Sequence, residues 1–133
     1  MNDRKTKVRI LIVDDHPMVR EGMSMRISAH GDLEVCGEAA SEDEAMVFLS
    51  KTVADLAIVD ISLKDGHGIE LIKRIKSSYP AVKMLVVSGF EESLYGERAL
   101  RAGAAGYLNK QASNEKLLEA IQDVFLEPGI TVA

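Results

Sequence analysis

Four short apolar runs in this chain each end on polar residues, and the side chains at those ends form a coherent chemical set. Asp14 and Asp15 follow Val8-Arg9-Ile10-Leu11-Ile12-Val13, and Asp60 follows Leu56-Ala57-Ile58-Val59. Ser88 follows Met84-Leu85-Val86-Val87, and Lys110 follows Gly106-Tyr107-Leu108-Asn109. Runs of this kind are expected as buried parallel strands, and an open parallel sheet presents its ligand site at the carboxyl ends of its strands. Three carboxylates, a hydroxyl and an amine would then meet on one rim. That set suits one metal ion and one phosphoryl group.

Three carboxylates packed together repel one another and would take up protons unless a cation joined them. Mg2+ is the natural cation, because it takes hard oxygen ligands and is held by one or two carboxylates plus a phosphate. The chain has no His/Cys cluster of the kind that binds zinc. His16 adjoins the acidic pair and reads as a structural or solvated residue. A carboxylate can attack phosphorus and form an aspartyl phosphate, and Asp60, alone on the central strand, is the candidate for that role. Asp14 and Asp15 would hold the Mg2+. Lys110 offers a mobile charge to one phosphoryl oxygen and Ser88 a hydrogen bond to another. Singly, each has a plain reading: a strand-end aspartate, a turn serine before Gly89, a solvated loop lysine, and in Tyr107 a core aromatic. Their joint occurrence, each after its own strand, is what argues for a site.

The elements that must position these residues alternate along the whole chain. Pro17 suits a first helical turn before Val19, Met23 and Ile27. Leu33 to Ala39 reads as a second strand after the Gly31-Asp32 break. Ser41 and Glu44 make a capping-box pattern ahead of Ala45, Phe48 and Leu49. Leu71, Ile72, Ile75 and Tyr79 mark a third helix that Pro80 stops. A fourth is expected over about 91–102, with Gly96 inside it at a cost of about 1 kcal/mol relative to alanine; that glycine would keep the helix pliable. The fifth strand is read as Ala105 to Leu108. The last helix opens at the N-cap candidate Ser113, carries Leu117, Leu118, Ile121 and Phe125 on one face, and ends at Pro128-Gly129. Parallel strands need right-handed helical crossovers, so the fold class is α/β: a doubly wound five-stranded parallel sheet, order 2-1-3-4-5, flavodoxin-like. Its switch point falls between strands 1 and 3, which carry Asp14, Asp15 and Asp60.

Composition narrows the function classes. At 133 residues the chain reads as one domain, 1–133, long enough for a real core. Its net charge of -5, with basic residues scattered, argues against nucleic-acid binding by this segment. A single cysteine, Cys36, excludes an internal disulfide and fits a reducing, cytoplasmic setting. No run approaches membrane-spanning length, and the N-terminus does not read as a signal peptide.

These residues resemble the receiver domain of two-component response regulators. The motifs that carry the resemblance are Ile12-Val13-Asp14-Asp15-His16-Pro17, Val59-Asp60-Ile61-Ser62-Leu63 with Gly68, Val87-Ser88-Gly89, and Gly106-Tyr107-Leu108-Asn109-Lys110. Asp-Asp-His-Pro, Val-Arg-Glu-Gly at 19–22 and Ala-Gly-Ala-Ala-Gly-Tyr-Leu at 102–108 are similar to the NarL/FixJ (LuxR-type) branch, usually transcription factors with a helix-turn-helix output domain. The resemblance implies that Asp60 takes a phosphoryl group from a sensor histidine kinase. It implies that Asp15 meets Mg2+ directly and Asp14 chiefly through water, with the Ser62 backbone carbonyl as a further ligand. Ser88 and Lys110 would bind phosphoryl oxygens, and Tyr107 would be the switch aromatic.

The implied protein is a switch rather than an enzyme, promoting only its own phosphotransfer and autodephosphorylation. It would form a homodimer on phosphorylation and meet DNA only through an output domain; residues 127–133 resemble the start of the linker to one. Two departures stand out. Lys64 replaces the proline usual after the phosphoacceptor, and Gln111 follows Lys110 where many receivers have a cis proline. Phe90, two residues after Ser88, would flank the site and limit water access. The rival readings are a stand-alone receiver acting by protein contact and a magnesium-dependent phosphohydrolase with an aspartate nucleophile. The haloacid-dehalogenase form of the latter would want an Asp-x-Asp that Asp14-Asp15-His16 does not supply. A flavodoxin-like nucleotide binder would want glycines where the first turn has acids.

Overall fold

Strands and helices alternate among the described residues: β1 (Val8–Val13), α1 (Pro17–Ser28), β2 (Leu33–Ala39), α2 (Glu42–Lys51), β3 (Leu56–Asp60), α3 (Gly68–Ser78), β4 (Lys83–Ser88), α4 (Glu92–Ala102), β5 (Gly106–Asn109) and α5 (Asn114–Asp123). The structure is a computed structural model and describes residues 7–61, 68–89, 92–112 and 114–125. All strand pairs are parallel, in the expected order β2-β1-β3-β4-β5. Ser62, Lys64, Phe90, Ser113 and the segment 127–133 lie outside the described residues.

The strand burial explains why the sequence shows continuous apolar runs. β3 is buried at every residue, while the edge strands β2 and β5 are largely half-buried. Alternation sends Leu11, Val13, Ala57, Val59, Met84 and Val86 to one face, under Leu49 of α2, Ile75 of α3 and Ala99 of α4. It sends Ile10, Ile12, Leu56, Ile58, Leu85 and Val87 to the other, under Ile27 of α1 and Ile121 of α5. Helices thus cover both faces, as parallel sheets require.

Local signals account for the helix ends. Pro17 stands in the first turn of α1. The Ser41 hydroxyl accepts from Glu44 N at 3.1 Å, and the Glu44 carboxylate accepts from Ala40 N at 2.7 Å.

Three boundaries differ from the sequence reading. β3 and β4 run through Asp60 and Ser88 instead of stopping before them, because both residues keep ladder partners, Asp60 opposite Val87 and Ser88 opposite Asn109. β5 is displaced by one residue, to 106–109. In α5 the buried stripe is Leu117, Ile121 and Val124, with Leu118 half-buried and Phe125 38% exposed. The i, i+4, i+7 series from Leu117 ends on Val124, so the adjacent series from Leu118 to Phe125 turns toward solvent.

Candidate functional site: an acidic rim with one lysine

Strand alternation continues into the rim and sorts the candidate residues into two groups. Asp14, Asp60 and Lys110 share the parity of Ile12, Ile58 and Leu108, which face α1 and α5. Ser88 and Tyr107 share that of Val86, on the face covered by α2, α3 and α4. A charged trio and a hydroxyl-aromatic pair therefore approach the same rim from opposite sides of the sheet.

The charged group is closely built. Asp60 is fully buried and Asp14 is 1% exposed. Lys110 Nζ donates to Asp60 Oδ2 at 3.0 Å and lies 3.2 Å from Asp14 Oδ2. Burial alone would lower the pKa of this ammonium. The hydrogen bond and charge of Asp60, followed by the charge of Asp14, outweigh that and hold it above the ordinary lysine value. The backbone is stitched at the same points: Lys110 N donates to Ser88 O at 2.7 Å, Ile61 N to Val87 O at 3.0 Å, and Asp14 N to Ala39 O at 3.0 Å.

His16 takes part more than its sequence context indicated. Its Nδ1 is 2.8 Å from Asp14 Oδ1, 3.1 Å from Asp15 Oδ1 and 3.8 Å from Asp60 Oδ2, although the ring is largely exposed. The His16 main-chain N–H also donates to Asp14 Oδ1 at 2.8 Å, which fixes that carboxylate's orientation. Arg20 is a second residue that sequence reasoning passed over. Its guanidinium donates to the Asp14 carbonyl at 2.5 Å and to Glu38 Oε1 at 3.2 Å. The only signal for it was its place in the first turn of α1, in the Val-Arg-Glu-Gly run.

Gly68 shapes the site from below. A β-carbon there would lie 2.6 Å from the Asp60 carbonyl oxygen and 2.6 Å from Ile61 Cα, closer than any side chain tolerates. Only glycine lets the start of α3 lie on the end of β3, where Gly68 N donates to Ile61 O at 3.1 Å.

The donor set fits a hard divalent cation. Ligand atoms of Asp14, Asp15, His16 and Asp60 all lie within 4.8 Å of one another. Ligands on an octahedral ion with bonds of about 2.1 Å stand about 3.0 to 4.2 Å apart, so a spread of up to 4.8 Å is a little wide and these groups would close in slightly to share one ion. Asp14 Oδ2 and Asp15 Oδ1 are buried and meet Lys110 and His16 at ion-pair distance, 3.2 and 3.1 Å, without a well-aligned hydrogen bond, and the buried Ser88 Oγ has no hydrogen-bond partner among the described residues. Native proteins seldom leave such acceptors unsatisfied unless a ligand, ion or water serves them.

Residues 10–122 match the family described as response regulator receiver domain. The response regulator protein VraR of Staphylococcus aureus is 36% identical over 115 residues, 86% of this chain and 55% of that protein. A crystal structure of a LuxR-family two-component response regulator from Aurantimonas superposes with a TM-score of 0.84 at 33% identity, covering 90% of this chain and 85% of that one. A response regulator from Burkholderia pseudomallei, solved with a phosphorylated aspartic acid, a calcium ion and citrate, superposes with a TM-score of 0.76 at 25% identity, covering 86% of this chain and 66% of that one.

The chain belongs to the response regulator receiver domain family, and its relatives include LuxR-family regulators. Members of this family act as signalling switches in two-component systems. The chain spans about half the length of the curated relatives it matches, 54% and 55% for the first two. No helix among the described residues is long and apolar enough to cross a membrane.

Proposed function

We propose that this chain is a phosphorylation-driven switch in which Asp60 is the phosphoacceptor and a sensor histidine kinase the donor. The observation that carries this reading is a fully buried carboxylate at the end of the central strand, held by one lysine and ringed by further acids. An Asp60 carboxylate oxygen attacks phosphorus, the bond from phosphorus to the donor imidazole breaks, and the leaving imidazole keeps that electron pair and takes a proton. Asp14, Asp15, Asp60 and the Ser62 carbonyl would hold Mg2+, which would supply positive charge to screen the nucleophile from the phosphoryl oxygens. Lys110 binds one phosphoryl oxygen and Ser88 donates to another, which satisfies a hydroxyl that lacks a partner among the described residues.

The consequence is a population shift. Phosphorylation adds charge and three acceptors at the rim, which draws Ser88 toward Asp60 and biases Tyr107 and α4 toward a second arrangement. The chain promotes its own phosphotransfer and dephosphorylation only. The phosphorylated surface supports homodimerisation, and DNA is met through a helix-turn-helix output domain beyond residues 127–133, in the cytoplasm.

The test is incubation with a small-molecule phosphodonor and Mg2+, followed by intact mass. The wild-type chain gains one phosphoryl group, and Asp60→Asn gains none. Labelling of Asp60→Asn to the wild-type extent would overturn the assignment.

A further inference from the structure

Gly96 is buried in the middle of α4, where a glycine weakens the helix and contributes no side chain to the core. A packing reason accounts for it. A β-carbon at Gly96 would stand 3.0 Å from Tyr107 Cε1 and 3.1 Å from Tyr107 Cδ1 and Cζ. Three adjacent ring atoms at nearly equal distance mean that one edge of the ring lies along the helix backbone.

Tyr107 is half-buried and packs against the core cluster that contains Val86 and Ala99. Its register partner is Val86, and Ser88 lies one same-face step further along β4, opposite Asn109. The ring thus lies against the α4 backbone at Gly96, on the sheet face that also carries Ser88, whose buried hydroxyl has no hydrogen-bond partner among the described residues.

We infer that Gly96 is a positioning residue, the seat on which the Tyr107 ring docks against α4. Because no side chain intervenes, α4 and the β5 aromatic shift together, and what happens beside Ser88 is transmitted to the helix through direct contact. This deepens the proposed function and rests on the reading of Ser88 and Tyr107 as the switch pair. The seat itself exists without phosphorylation and can be tested without it.

Alanine at position 96 has two opposing effects, and Tyr107 separates them. It strengthens the helix, and it occupies the space of the ring. In a Tyr107→Ala background only the first effect survives, so Gly96→Ala should raise the melting temperature by about 2 to 5 °C. With Tyr107 present the gain should vanish or reverse. An equal rise in both backgrounds would show that Gly96 and Tyr107 do not interact, and the inference would fail.

A second measurement reads the ring directly. With 3-fluorotyrosine incorporated, the resonance of Tyr107, assigned through Tyr107→Phe, should move in unphosphorylated Gly96→Ala. A resonance at its wild-type position would refute the seat. The third readout is retention of the phosphoryl group by intact mass. Gly96→Ala should change its half-life about twofold or more, a shift that about 0.4 kcal/mol of differential stabilisation produces. An unchanged half-life would overturn the link from seat to switch. The first two measurements use unphosphorylated protein, so their failure is distinct from any failure of Asp60 to accept phosphorus.

Discussion

Both rims of this sheet carry acids facing bases at the ends of β1 and β3, yet only one has the makings of a site. At the amino-terminal rim Arg9 N donates to Asp55 Oδ2 at 2.9 Å, and Arg9 Nε donates to Val53 O at 3.0 Å. Asp55 N donates to Arg9 O at 2.8 Å, Lys83 N donates to Asp55 O at 3.0 Å, and Arg9 lies 3.4 Å from Glu34. Those side chains are partly solvated, with exposures of 35% for Arg9 and 42% for Glu34, and their charges tie strands together. At the carboxyl rim Asp14 and Asp60 are buried, and buried acceptors on Asp14 and Asp15 have cations at ion-pair distance but no well-aligned hydrogen bond among the described residues. Charge at a strand end does not mark a functional site. Burial combined with unmet hydrogen-bonding capacity does, because that state costs stability and persists where a ligand will complete it.

The sharpest way to break this comparison is to delete the base on each rim in the absence of metal. Lys110→Ala strips the ammonium that bridges two buried carboxylates and should cost about 3 to 5 kcal/mol, as removal of one partner from a buried pair does. Arg9→Ala removes a half-exposed ion pair and should cost about 1 kcal/mol or less. Urea denaturation in chelator measures both. Equal costs would mean that the two rims differ in appearance only.

Cation addition probes the same contrast from the other side. A ligand that binds only the folded state at a hundred times its dissociation constant stabilises by about 2.7 kcal/mol. Millimolar Mg2+ should therefore raise the urea midpoint of the wild-type chain. Asp14→Asn and Asp15→Asn should lose most of that gain, while Asp55→Asn at the opposite rim keeps all of it. A Mg2+ response that survives in Asp14→Asn and Asp15→Asn would place the ion elsewhere.

Much of this contrast was legible in the sequence, for a definite reason. Strands buried on both faces appear as unbroken apolar runs, so the polar residue that ends each run locates the rim. The trio Asp14, Asp15 and Asp60, with Ser88 and Lys110, could be read off directly, and so could the strand order. Features that depend on a distant partner could not. Asp60 and Ser88 lie inside their strands because Val87 and Asn109 stand opposite them. The His16 ring folds back over the acids through a rotamer that adjacency does not dictate. Gly96 reads locally as a weak point in a helix, and its packing against Tyr107 is visible only once β5 is set beside α4. The misassignment of Phe125 to the buried stripe has the same origin: Leu118 and Leu117 start neighbouring series, and only the packed core selects between them.

The smallest expected effect is on alkaline stability, and it again separates the rims. The Lys110 pKa is raised above its ordinary value of 10.5 in the folded chain, with Asp60 and Asp14 outweighing burial. The unfolded chain lacks those partners. A group whose folded pKa exceeds its unfolded pKa contributes stability that is fully present below the unfolded value and is lost as pH rises through the folded one. The stability difference between wild type and Lys110→Met should accordingly stay constant up to about pH 10 and shrink above it. At the other rim a guanidinium cannot be deprotonated at these pH values, so the difference between wild type and Arg9→Ala should remain level. Thermal melts in chelator across about pH 8 to 11 read both differences under conditions where other lysines and tyrosines titrate equally in each pair. A Lys110→Met difference that stays level along with that of Arg9→Ala would mean that the lysine's charge is not what the buried acids depend on.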